Sequence, residues 1–349
     1  MKWTGRYISR AVMALGAFFL VSLTFNGPIA GAADSTTLRF AQFAPPKNTF
    51  REIEDYYSSE ISKRTNGRIN IKYYYGQSLG KVSALLSLAG SGGVDMTMLV
   101  PGYYPAELPL SSGPNQAFFV HKTPEEALAV ATSLYSSGPI NAEFTKHNLK
   151  FLFNYVLTPY QLYSIKPVNS LADLKGFKIR TWGAEFPMIF EPHGAVCVQM
   201  PTPEVYEAME RGGLDGVMAM HSLALETGLQ DVAKYVTLVG IGVVSGPAVV
   251  MNLDRWNGLP QDVKKVFDDV DSKIQPIAIN AVVKADNAAL EKIKERGLQV
   301  SDFPDREKLI AASPNFVEVW RNKMAKLGLK NEADKAWEQW QKVLSDLRK

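Results

Sequence analysis

Seven consecutive residues, Gly176-Phe177-Lys178-Ile179-Arg180-Thr181-Trp182, bring a guanidinium and an indole together in a short run of alternating polarity. Period-two alternation sends Phe177 and Ile179 to one face and Lys178 and Arg180 to the other. Trp182 falls on the arginine's side if the extended path continues. A guanidinium is a planar fork of donors, charged at every physiological pH, and it matches a carboxylate through two parallel hydrogen bonds. In open α/β sheets ligands bind beyond the carboxyl ends of the strands, where Arg180 would sit. The alternative is a solvated surface arginine, and the strand pattern alone leaves both readings open.

Other reactive groups are scattered. The histidines His121, His147, His193 and His221 form neither HExxH nor another zinc-ligand spacing. The single cysteine, Cys197, lies in an apolar run and reads as a buried, inert thiol; no intramolecular disulfide can form. There is no GxSxG elbow or P-loop, and neither AGSGGVD nor GIGVVSG matches GxGxxG. Catalysis has no support in the sequence, and no metal or cofactor is expected.

A binding cleft has more support. Phe43, Tyr103, Tyr104 and Tyr160 all fall at expected strand ends, where loops line a cleft, and as a set they make an apolar pocket. Met218, Met220 and His221, around the end of the strand from Gly216 to Met220, complete the candidate ligand-binding set with Arg180 and Trp182. The helix after Met200 has Thr202 as its cap, Pro203 in the first turn and Glu204 beside it. Glu204 either holds Arg180 in one rotamer or simply complements the helix dipole.

The elements that must position these residues alternate strand and helix. Leu38 to Phe43, Ile69 to Tyr75 and Asp95 to Val100 read as strands. Thr49 with Glu52 forms a capping box between the first two, and Lys81 to Ala89 reads as the next helix. The same plan recurs in Phe177 to Arg180, Val196 to Met200 and Gly216 to Met220, which predicts an α/β protein of two doubly wound lobes. Leu149 to Ser164, broken at Thr158-Pro159, and Val236 to Leu253, broken by glycines and Pro247, read as two crossings that form a hinge. Helical patterns from Pro260 to about Arg296, Arg306 to Lys326 and Asn331 to Lys349 would bridge the lobes, anchored by Phe267, Trp320, Trp337 and Trp340. The expected division is 34–157 plus about 246–285 for the first lobe. The second takes 158–245 plus part of 286–349, with the bridging helices.

Residues 1–33 are set apart by Lys2, Arg6 and Arg10, an apolar run from Ala11 to Phe25 and the Ala30-Gly31-Ala32 site, which together read as a cleaved secretory signal. The apolar run is short of the roughly 20 residues of a spanning helix. The whole chain has 38 basic and 35 acidic residues, so without those three leader charges it is neutral. The basic balance belongs to the leader, and a nucleic-acid partner or an anionic membrane surface is not expected.

In order, DLKGFKIR, HGAVCVQMPTPEVYEAMERGGLDG and LQDVAKYVTL resemble the DctP-type extracytoplasmic solute receptors of TRAP transporters, and MLVPGYYPAELPL matches the loop these receptors place after an early strand. The resemblance runs from about Thr37 into the C-terminal helices. It implies a two-lobed, periplasmic-binding-protein-like receptor that closes on an organic acid and delivers it to a permease of one small and one large membrane subunit. It also implies that Arg180 is the carboxylate clamp. Two departures stand out. Val217-Met218-Ala219 replaces a common Gln-Glu-Asn, and Tyr160 stands where many members carry a second arginine. The pocket is thus expected to be less polar and to take a monocarboxylate with an apolar or aromatic body. A secreted enzyme on the same scaffold, or a receptor for an ATP-driven importer, are the alternatives.

Overall fold

The computed structural model describes residues 35–349; the expected signal segment lies outside the described residues. The strands, in chain order, are β1 (Thr36–Ala41), β2 (Ile69–Tyr74), β3 (Met96–Leu99), β4 (Leu149–Asn154), β5 (Gln161–Ser164), β6 (Lys178–Thr181), β7 (Val196–Gln199), β8 (Gly216–Ala219), β9 (Tyr235–Leu238), β10 (Ala248–Asn252) and β11 (Gln299–Asp302). They form two sheets, one per lobe, with orders β2-β1-β3-β10-β4 and β11-β9-β5-β8-β6-β7. The fold is the expected two-lobed α/β class.

The strands joined by helices are parallel: β1 pairs with β2 and β3, and β6 with β7 and β8. Helical crossovers produce this pairing because a parallel neighbour needs a long return path. Each crossing segment instead gives one strand to each sheet. The first supplies β4 and β5, the second β9 and β10, and within each sheet their pairings to neighbours include antiparallel ones. Both sheets are therefore mixed. Where the crossings touch, the Tyr155 N–H donates to the Pro247 carbonyl at 2.9 Å. A Cβ at Gly246 would lie 1.8 Å from the Tyr155 carbonyl oxygen, so only glycine allows this approach.

The lobes share a brace. The helix Gln261–Glu295 has 35 residues and spans about 50 Å at 1.5 Å per residue. Val263, Phe267, Val270, Ile274 and Ala278 recur every three or four positions and form its buried stripe. It packs on Arg51–Arg64 of the first lobe and on His221–Glu226 of the second. There Asp286 accepts hydrogen bonds from the backbone and hydroxyl of Ser222 at 2.8 and 3.0 Å. The last two helices, Phe316–Lys326 and Lys330–Leu347, return to the first lobe with Trp320 and Trp340 buried, and Arg348 pairs there with Glu126. Among the described residues no helix is long and apolar enough to cross a membrane.

Three local expectations are corrected. The helix expected over Arg306 to Lys326 is two, Arg306–Ala312 and Phe316–Lys326, because Ser313-Pro314 interrupts it. β11 was not expected, since Gln-Val-Ser-Asp is short, polar and on a sheet edge. Neither threonine expected to cap a helix does so. The first helix starts at Arg51 with Phe50 at its cap position, while the Thr49 amide and hydroxyl both donate to Glu226, at 2.9 and 3.0 Å. Thr202 opens a short 3₁₀ turn without capping it and bonds across the cleft.

Candidate functional site

Arg180 sits near the carboxyl end of β6, beside Val198 of β7 and Val217 of β8, and is only 3% exposed. The β6 alternation places Phe177 and Ile179 fully in the core. Arg180 projects from the opposite face, as period two requires. Its Nε donates to the Met200 carbonyl at 2.9 Å. Its Nη2 donates to the Tyr103 hydroxyl at 3.1 Å and to Thr202 Oγ1 at 3.4 Å. Among the described residues Nη1 makes no hydrogen bond and no carboxylate pairs with the guanidinium. A charge this buried ordinarily carries a partner. Arg180 is held in one orientation by neutral acceptors and left with charge and donors to spare.

Trp182 fixes the other face. The guanidinium carbon lies 4.9 Å from its ring centroid, a cation–π contact. The indole packs against Phe186 at 4.2 Å, Tyr160 at 5.3 Å and Phe118 at 5.9 Å between ring centroids. Tyr103, from the loop after β3, is the first lobe's contribution: its hydroxyl contacts Thr202 Oγ1 at 2.9 Å and accepts from the Thr202 N–H at 3.3 Å. The lobes are thereby joined through the arginine's own hydrogen-bond network.

These residues border a cavity between the lobes. Of the expected set, Phe43, Tyr103, Tyr160, Arg180, Trp182 and Met220 line it. It offers about 100 Å³ to the centres of water-sized molecules. That is well above the roughly 10–15 Å³ threshold for holding a single water, and the space suits one compact organic molecule.

The other four expected residues lie elsewhere. Tyr104 is buried, its hydroxyl donating to the Val82 carbonyl within the first lobe. Glu204 is exposed and borders a separate depression with Glu207 and Arg211; it makes no bond to Arg180. Met218 is fully buried in β8 and does not reach the cavity. His221 is also outside the lining, its Nδ1 2.6 Å from the Tyr163 hydroxyl, and burial holds its pKa below the ordinary value. Ala219, the apparent loss of a polar contact, packs with Val205 and Val217 away from the cavity. Cys197 is partly buried, and that burial pushes its thiol up to about 12.

Thr202, Asn115 and Glu226 line the cavity and were not anticipated. Thr202 read as a cap. Asn115, which accepts from the Gly102 N–H at 3.1 Å and donates to the Ser245 carbonyl at 2.8 Å, falls in an unpatterned segment. Glu226 looks from its neighbours, Leu225 and Thr227-Gly228, like an ordinary surface acid near a helix end.

Comparisons with known proteins agree with this architecture. The chain is 27% identical over 299 residues to a solute-binding protein of Albidiferax ferrireducens, covering 80% of this chain and 86% of that one. Its fold matches a TRAP solute-binding protein of Rhodoferax ferrireducens, crystallised with copurified benzoate. The TM-score is 0.81 at 18% identity, with 89% of this chain and 98% of the other covered. It also matches a marine-metagenome TRAP solute-binding protein specific for aromatic acid ligands, in complex with metahydroxyphenylacetate. There the TM-score is 0.80 at 21% identity, covering 90% and 100%. The family model for bacterial extracellular solute-binding proteins, family 7 (DctP), matches residues 40–326, and the chain belongs to that family.

Proposed function

We propose that this chain is the receptor of a TRAP-type transporter. It binds a small monocarboxylate with an apolar or aromatic body between its lobes and delivers it to a permease of one small and one large membrane subunit. In this proposal residues 1–33 direct export to the periplasm and are removed, and the lobes divide near residues 157 and 246.

One observation carries the reading: an arginine only 3% exposed, its guanidinium oriented by three neutral acceptors, with no anion of its own among the described residues. A ligand carboxylate supplies the missing charge and accepts from Nη1. Exclusion of water by Trp182, Tyr160 and Phe43 strengthens the pair, because the same charges attract more strongly at low effective dielectric. Tyr160 adds ring surface where a second arginine would favour a second acid group. The ligands of the two structural relatives, benzoate and metahydroxyphenylacetate, are both monocarboxylates with a ring and support the same class.

The direct test is calorimetric titration with benzoate and phenylacetate, each beside its primary amide. The acids are expected to bind at least about 100-fold more tightly than the isosteric amides, since an amide leaves the buried charge unneutralised. Equal affinity for acid and amide would remove the clamp.

A further inference from the structure

The cavity has a second polar side group that the clamp does not use. Glu226, at the end of the helix His221–Glu226, lines the same cavity as Arg180. One carboxyl oxygen, Oε2, accepts both hydrogen bonds from Thr49 of the first lobe. The other, Oε1, has no hydrogen-bond partner among the described residues. Burial pushes this carboxyl up to about 7, against the two Thr49 bonds that pull it down; Glu54 adds to the upward push. On its other side Glu226 borders a groove that also holds Lys47, Lys292, Glu295 and Arg296, none of which pairs with it.

An ionised carboxylate only accepts hydrogen bonds. In a cavity with little water, an acceptor facing a ligand donor is satisfied, one facing a methylene is not, and one facing a second carboxylate is repelled. The cavity lining thus holds both a cationic group and an acceptor group, together with aromatic and thioether surface.

We propose that Glu226 is a specificity-determining residue. In its ionised form it selects monocarboxylates that carry a hydroxyl or amino donor, and it rejects dicarboxylates. This rests on the Arg180 clamp proposed above and adds the chemistry of the ligand's other polar group. The Thr49 bonds make the selection conditional on closure, because the carboxyl is fixed only when the first lobe is in place.

The experiment is titration at pH 8.5, where the carboxyl is ionised, with benzoate, its three monohydroxy isomers and its three ring dicarboxylates. For the wild-type protein the best hydroxybenzoate is expected to bind about tenfold more tightly than benzoate, and every dicarboxylate at least about tenfold more weakly. In Glu226→Gln the amide oxygen still accepts from Thr49 while the charge is gone. The penalty on each dicarboxylate, measured relative to benzoate on the same variant, should then shrink about tenfold. Thr49→Val is the control for a purely latching role: it removes the hydroxyl bond but keeps the backbone N–H that holds Oε2 in place, so it should weaken all ligands alike and leave their ranking intact.

Dicarboxylate binding equal to or tighter than benzoate in the wild-type protein overturns the proposal without any variant. An unchanged ranking in Glu226→Gln also overturns it, as does a Thr49→Val ranking shifted in the same way. Failure of benzoate and all its derivatives to bind would instead strike the clamp reading, and this inference with it.

Discussion

Arg180→Met is expected to abolish measurable ligand binding while leaving the protein folded. Breaking one partner of a buried ion pair costs on the order of 3–5 kcal/mol, which corresponds to a loss of affinity of roughly two to three decades or more. The stability side separates a binding role from a structural one. In the unliganded protein Arg180 forms no ion pair among the described residues, so methionine relieves the burial of an uncompensated charge. Against this stand three lost hydrogen bonds, to Met200, Tyr103 and Thr202. The two effects oppose, so a net change within about 1 kcal/mol, or about 2–4 °C in melting temperature, is expected. A steep fall in melting temperature with affinity retained would identify Arg180 as a structural residue.

Trp182→Ala should damage both properties. Trp182 is 4% exposed and meets Phe186, Tyr160 and Phe118 as well as the guanidinium. Truncating a buried tryptophan costs about 3–5 kcal/mol through lost contact and the cavity left behind. At 2–4 °C per kcal/mol this is a drop of about 10 °C in melting temperature. Because the arginine loses the ring that fixes its orientation, affinity per folded molecule should also fall by about tenfold or more. Trp182→Phe keeps an aromatic face and should recover most of the affinity but only part of the stability. Differential scanning calorimetry and ligand titration on the same samples separate the two effects. Unchanged affinity in the folded fraction of Trp182→Ala would mean that the indole serves packing alone.

Much of the architecture was legible because its signals are local. The strands that flank helices carry apolar runs ended by Pro or Gly, and both crossing segments announced themselves by a break, at Pro159 and at Gly246-Pro247. Parallel pairing within each lobe followed from the alternation of elements. The antiparallel insertion of β10 between β3 and β4, and of β5 between β8 and β9, did not, because partner choice is a long-range property.

The site was legible where strand periodicity fixes a direction. Arg180 and Trp182 share a face because period two demands it, and Tyr160 and Phe43 lie at strand ends. Tyr103 and Tyr104 show the limit. They are adjacent, yet one bonds across the cleft and the other to Val82 within its own lobe, and the turn Pro101–Tyr103 decides which. Thr49 and Thr202 show a second limit. Both stand before helical segments and suit capping, but Thr49 bonds across the cleft to Glu226 and Thr202 to Tyr103, with Arg180 of its own lobe also donating to Thr202. A residue fit to cap a helix is equally fit to tie two lobes, and only the tertiary arrangement chooses. Glu226 carried no signal because its neighbours in the chain do not show that the first lobe will meet it through Thr49.

The central claim is that Arg180 holds a small carboxylate between the lobes, and it can be tested without knowing the ligand. Native mass spectrometry of the protein, expressed with export and purified without refolding, should show one bound small acid per chain, released intact on denaturation and missing from Arg180→Met prepared in the same way. An adduct of the same mass and occupancy on Arg180→Met would contradict the account.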